Sequence, residues 1–215
     1  MKFTHIANIL LLASLLFFCG CGSLIKQPSP VISYYQLNYT PEISTTTLVN
    51  KTILIKPFYI SETYNRDTIM YSSEKYKCDY YPYKQWISAP QNQMTELFRN
   101  DFMKSGAFKG IIIPGQLQRP DLILSGAITE IQENIRDGKA FGIIKINVTL
   151  SKPAFKTTPE KIIFQKSYSK SITCEAGNTE SLVKALSEAM KKISGEVIKN
   201  VIDKTRDPRA TVHKT

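Results

Sequence analysis

Side chains able to carry catalysis are few in this chain of 215 residues, and they are poorly spaced for it. It has two histidines, His5 and His213, both near the chain ends. A Ser-His-Asp triad, a Cys-His pair or a His-ligated zinc site needs an imidazole inside the fold, and none is available there. Six carboxylates, Asp67, Glu74, Asp79, Asp121, Glu130 and Glu133, are of the type that pairs in glycoside hydrolysis. Most of them flank expected strands and turns, where acidic residues are routine. The chain has no GxxxxGK[ST] phosphate loop, no GxGxxG turn and no GxSxG elbow. The expectation is therefore a non-enzyme with no cofactor and no metal site.

The cysteines carry the clearest chemistry. The chain opens with Lys2 and an α-amine, then runs apolar from Ile9 to Phe18. That run is too short to cross a bilayer core, which takes about 20 residues, and it fits the apolar region of a signal peptide over residues 1–20. It ends Phe18-Cys19-Gly20-Cys21-Gly22-Ser23, which resembles a bacterial lipobox with Gly20 at the small position. Cys19 at the middle position is a mild departure. The resemblance implies cleavage after Gly20 and a diacylglyceryl thioether on Cys21, usually with an N-acyl chain such as palmitate. Each buried CH₂ contributes about 0.8 kcal/mol, so two or more chains make a stable anchor. Gly22 stands where an Asp would retain an enterobacterial lipoprotein in the inner membrane, so the outer membrane is the expected address. Residues 21–33, with Pro28 and Pro30, read as an extended tether.

Two cysteines remain, Cys78 and Cys174. An exported protein meets an oxidising compartment, where a bridge would close a long loop and add roughly 4–5 kcal/mol in the entropy model. Spacing alone leaves a disulfide and two free thiols equally open. Lys plus Arg number 28 against 18 Asp plus Glu, and removing residues 1–20 takes Lys2 away and leaves +9. Such a surface suits anionic headgroups or phosphate-bearing polymers, or reflects nothing more than a lysine-rich composition. Export speaks against a nucleic-acid partner. Ten of the eleven tyrosines fall within residues 34–83, and the single tryptophan, Trp86, follows. Tyr80, Tyr81, Tyr83 and Trp86 are the candidate partner interface, because amphipathic aromatics suit a surface that is part dry and part wet. Core packing is the competing reading, tyrosine being a good strand residue.

The elements that must position these residues can be read from the pattern. The composition, 42% apolar and 21% charged, is that of an ordinary globular domain. Strands are expected over 34–39, 52–58, 68–72 and 76–83, with Ser72-Ser73-Glu74 between the last two. A helix is expected over 89–105, with Met94, Leu97, Phe98 and Phe102 on one face and Gly106 to stop it. Strands over 111–113, 121–131 and 143–150 follow, the last alternating Ile144, Ile146, Val148 and Leu150 against Lys145, Asn147 and Thr149. Asp137-Gly138 marks a hairpin turn. Ile162, Phe164 and Tyr168 begin another strand, and a long helix runs from Thr179 to about Lys204, capped by Asn178. The order implies an α+β, two-layer domain over 34–207, a mostly antiparallel sheet with two helices packed on one face. Residues 208–215 read as a disordered tail.

Taken in order, these segments resemble the ABC-type transport auxiliary lipoprotein family of the paraquat-inducible protein C type. The likeness lies in Tyr35-Gln36-Leu37 after the tether, ILIKPFYIS at 53–61, and NRDTIMYSSEKYKCDYYPYKQW at 65–86. It continues in the helix from Pro90 to Gly106 with Phe108 beyond, in DLILSGAITEIQE at 121–133, and in the closing helix. Gln85 departs from the family, which often has an arginine directly before the tryptophan. The resemblance implies a non-enzymatic lipoprotein that docks a periplasmic MCE-domain protein, and its inner-membrane permease, at the outer membrane for lipid transport. It leaves room for a homo-oligomer. The alternative is an envelope assembly cofactor, either a regulator of a peptidoglycan synthase or a partner in lipopolysaccharide or outer-membrane assembly.

Overall fold

The computed structural model describes residues 29–42, 45–116 and 118–206. The signal peptide, Cys21, most of the tether and the tail from residue 208 lie outside the described residues. The chain divides into two units between Val31 and Ile32, and the second unit contains all the described strands and helices.

Nine strands and two helices are described. In chain order they are β1 (Ser33–Tyr35), β2 (Val49–Ile55), β3 (Tyr59–Ile60), β4 (Thr68–Glu74), β5 (Lys77–Trp86), α1 (Pro90–Lys104), β6 (Phe108–Ile112), β7 (Leu122–Arg136), β8 (Lys139–Lys152), β9 (Lys161–Cys174) and α2 (Thr179–Thr205). A single 3₁₀ turn, Glu62–Tyr64, follows β3.

The strands form one sheet built on β7. One edge of β7 pairs antiparallel with β8 along nearly its whole length, and β8 pairs antiparallel with β9. Asp137 and Gly138 turn the β7–β8 hairpin with φ of 49° and 70°, the positive values that a tight two-residue turn requires. The other edge of β7 serves three strands in succession. β2 pairs at Leu122–Leu124, β3 at Ala127–Ile128 and β4 at Glu133–Asn134, all parallel. The sheet therefore forks, with β6 beyond β2 on one branch and β5 and β1 beyond β4 on the other. A bulge between Ile128 and Glu130 absorbs one residue of β7, so Ile128 and Ile131 both point into the core. The long ladders are antiparallel, and the parallel pairings are short.

Both helices cover one face, and the expected period-two pattern sets that face. Ile144, Ile146, Val148 and Leu150 of β8 are fully buried beneath α2, while Lys145 points to solvent. Gly142 lets α2 come close: a Cβ there would lie 3.1 Å from Ala185 Cβ and 3.2 Å from Leu186 N. The α2 stripe of Leu186, Met190, Ile193, Val197 and Val201 is fully buried. Asn178 caps the helix, its side chain accepting from Ser181 N at 3.1 Å. On α1, Met94, Phe98 and Phe102 face inward, and Phe98 packs on Phe58 with ring centroids 4.8 Å apart. Gly106, at φ 65°, follows the α1 C-cap as expected.

The first strand is shorter than the expected 34–39. Beyond Tyr35 the chain leaves the sheet and threads the seam between the helices. Leu37 N donates to Gln93 Oε1 of α1 at 2.8 Å, and Asn38 N donates to Ser187 Oγ of α2 at 3.1 Å. Tyr39 OH donates to Asp101 Oδ2 of α1 at 2.6 Å. Asp101 is 1% exposed and its Oδ1 has no partner; neither has Ser194 Oγ of α2, which is also buried. Burial pushes the Asp101 carboxyl above its ordinary range, against the lowering pull of the nearby Ser194 and Tyr39 hydroxyls and of the Lys104 charge. Burial, and then the Asp101 charge, push the Tyr39 hydroxyl up as well. The Ser72-Ser73-Glu74 segment, expected between two strands, continues β4 instead, and the turn falls at Lys75 and Tyr76.

Candidate interaction surface

The β4–β5 ribbon positions the aromatic residues singled out in the sequence, and it separates them. Tyr80 and Tyr83 are exposed at 45% and 46%. The Arg66 guanidinium sits over the Tyr80 ring, 5.5 Å from its centroid, which leaves a cationic, aromatic patch facing solvent. Tyr81 turns the other way. It stacks on Tyr71 at 4.6 Å and donates its hydroxyl to the buried Glu133 carboxylate, and burial followed by that hydrogen bond pushes its pKa up. Trp86 is only 4% exposed and belongs to the core. Its indole cannot reach a partner, which corrects its place in the candidate interface. The cause is position: Trp86 ends β5, paired with Tyr35 of β1 and donating its backbone N–H to the Asp67 carbonyl, and there its side chain joins the core.

The same partition applies to the other residues with chemical potential. Cys78 is exposed on β5 and Cys174 is half-buried at the end of β9, both as free thiols. Strands β4, β7 and β8 lie between theirs along the sheet, so the register does not bring them together. Burial, with help from Glu133, pushes the Cys174 thiol up to about 11. Glu130 pairs with Lys145 at 2.5 Å, and Asp121 accepts from Thr52 N at 2.7 Å and Thr52 Oγ1 at 2.9 Å. Those hydrogen bonds, the backbone one first, hold the Asp121 carboxyl below its ordinary range. Glu74 lies beside Lys77, and Asp79 accepts from Tyr80 N. Among the described residues no three His, Cys, Asp or Glu side chains gather as a metal site would need.

Pattern reading missed an apolar groove of about 520 Å³ along α1. Leu97 and Met103 of α1, Ile111 and Ile113 at β6, and Leu37 and Ile87 line it. Met103, Ile87 and Ile113 are 62%, 61% and 53% exposed. The groove lies beside β6, an edge strand whose outer backbone groups are unpaired in the sheet. Each of these residues looks incidental in sequence, because they come from three separate elements.

The family model described as ABC-type transport auxiliary lipoprotein component matches residues 35–197. The chain belongs to that family. It is an envelope lipoprotein family whose members assist ABC-type transport systems, so partners are implied. Among solved structures, the fold is similar to XCC0632 from Xanthomonas campestris, with a TM-score of 0.70 at 11% identity, covering 80% of this chain and 96% of that one. An uncharacterized protein follows with a TM-score of 0.62 at 14% identity, covering 80% and 99%. The hypothetical protein CT253 from Chlamydia trachomatis gives 0.51 at 10% identity, covering 73% and 98%. At these identities the likeness is one of fold. No curated protein matches the chain.

Proposed function

We propose that this chain is a non-enzymatic lipoprotein, held to the outer membrane through Cys21, that docks a periplasmic MCE-domain protein for intermembrane lipid transport. Residues 1–20 are the signal peptide and 21–33 the tether of this reading, and 34–207 is the auxiliary domain. The family match over residues 35–197 is the observation that carries it. Two surfaces are suited to the partner: the Tyr80–Tyr83 patch and the apolar groove along α1. A docking site needs desolvatable apolar area together with polar groups, and the groove lining supplies both, Met103 and Ile113 among the apolar residues and Glu96 and Asn100 among the polar ones.

The test is photo-crosslinking in cells, with the crosslinker at Tyr80, Tyr83 or Met103 and mass spectrometry of the captured proteins. Capture of an MCE-domain protein supports the reading and maps the docking face. Capture of a cell-wall synthase or an outer-membrane barrel, with no MCE protein, replaces it with the assembly-cofactor reading. Lipid mass on the Cys21 peptide, absent in Cys21→Ala, tests the anchor separately.

A further inference from the structure

One end of the sheet gathers positive charge of which the fold uses only part. Lys51, Lys152, Lys161 and Lys204 line one hollow of about 300 Å³ with Ile162, Ile163 and Thr205, and no carboxylate lines it. None of these lysines is in an ion pair among the described residues. Lys152 and Lys161 stand directly opposite each other across β8 and β9. Like charges in that position destabilise a ladder. The helix dipole accounts for part of the cluster: Lys51 donates to the Thr205 carbonyl at the α2 C-terminus, and Lys204 lies in the last turn. It does not account for Lys152 and Lys161.

The nearby carboxylates form no ion pair with these lysines, although the Thr52 backbone hydrogen bond and, to a lesser degree, the Lys51 charge help hold the Asp121 carboxyl low. Glu160 accepts from Ser151 Oγ at 2.5 Å, Asp121 accepts from Thr52, and Asp203 lines a different hollow with Glu42. The turn that joins β8 to β9 adds apolar contact area. Phe155, at its tip, is 50% exposed, with the Arg119 guanidinium 3.7 Å from its ring centroid and Lys156 Nζ 5.4 Å away. Ile162 is 59% exposed between the lysines. Basic side chains ringing an exposed aromatic and an aliphatic residue are the composition that binds a lipid surface with anionic headgroups.

We infer that the β8–β9 end of the sheet, centred on Lys152, Lys161, Phe155 and Ile162, is a contact surface for a membrane carrying anionic phospholipids. The lysines engage headgroup phosphates, while Phe155 and Ile162 enter the boundary beneath them. The contact does not depend on which protein the domain docks.

The test uses the full lipidated chain in nanodiscs of phosphatidylcholine, alone or mixed with phosphatidylglycerol, read by hydrogen exchange of residues 153–161. The anchor is then common to all samples. Exchange in this turn is expected to slow on the mixed discs only. In Lys152→Gln/Lys161→Gln the protection is expected to fall by about fivefold for each lysine removed. Lys184→Gln/Lys199→Gln, which removes equal charge elsewhere on the domain, is expected to keep it. Three results overturn the inference: equal exchange on both discs, equal loss in both double variants, or the same protection from inorganic phosphate on phosphatidylcholine discs. A melting curve shows that the first double variant is folded, since it loses a repulsion and no packing.

Discussion

Replacing Asp101 by Asn is expected to stabilise the domain at neutral pH, although it removes a native hydrogen-bonding carboxylate. Asp101 is 1% exposed, one of its oxygens has no hydrogen bond, and burial outweighs the pull of the Ser194 and Tyr39 hydroxyls on its carboxyl. An Asn side chain keeps the acceptor for Tyr39 and supplies an N–H for the second site. The exchange ends the burial of a charge and satisfies orphaned atoms, each worth about 1–3 kcal/mol. Allowing for imperfect geometry, a net gain of about 1–2 kcal/mol is expected, about 3–6 °C in melting temperature for a domain of this size. The pH dependence separates this account from a general packing effect. The folded-state pKa of Asp101 lies above its ordinary 3.8, so the folded state holds the proton more tightly than the unfolded chain does. Its contribution to stability is full below the unfolded value and is lost as pH rises through the folded one. The advantage of Asp101→Asn is therefore absent at pH 3 and reaches its plateau above the folded pKa. Urea unfolding of the full chain in neutral detergent, followed by the fluorescence of the buried Trp86, measures it. Tyr39→Phe is the companion: it strips the donor from a buried carboxylate and is expected to cost about 1.5–3 kcal/mol at pH 7. An Asn variant less stable than the parent at pH 7, or a difference independent of pH, refutes the reasoning.

Gly142→Ala is expected to cost about 1–3 kcal/mol, because the new Cβ meets Ala185 Cβ and the Leu186 backbone at distances that force α2 to shift; thermal melting reads it. Trp86→Ala is expected to cost about 3–5 kcal/mol by the same measurement, whereas Tyr80→Ala and Tyr83→Ala stay within about 0.5 kcal/mol and lose partner crosslinking instead. Maleimide labelling at pH 7, followed by intact mass, is expected to modify exposed Cys78 first. Half-buried Cys174, with its thiol pushed up to about 11, follows slowly; a chain in which neither labels before reduction would mean that the two are bridged.

The parts of the fold legible in the sequence were those whose cause is local. The β8 alternation, the α2 stripe, the Asn178 cap and the Asp137-Gly138 turn each depend on residues a few positions apart, and the structure has all four. The forked sheet depends on something longer in range. That β2, β3 and β4 divide one edge of β7 is a matter of how far each strand reaches before it turns, and hydrophobic period carries no such information. The run after Tyr35 failed as a strand for a related reason. Its donors go to Gln93, Ser187 and Asp101, more than fifty residues away, and those acceptors displaced a ladder that local pattern favoured.

The candidate site shows the same division. Residue type flagged Tyr80, Tyr81, Tyr83 and Trp86 as a group, but burial is decided by which side chains turn toward Tyr71 and Glu133 and by where the ribbon enters the core, so two of the four stay outside and two go in. The apolar groove is the converse case. Ile87, Met103 and Ile113 each follow the end of a strand or occupy the last turn of a helix, where one exposed apolar residue is ordinary. Only the pairing of β6 with β2, which sets the edge strand beside α1, turns three ordinary residues into one wall-lined groove. A docking surface of this kind has no period and no motif, because the partner supplies the other half of the pattern. The register of the sheet therefore decides which side chains a partner can meet, and composition decides only which residues are available to be met.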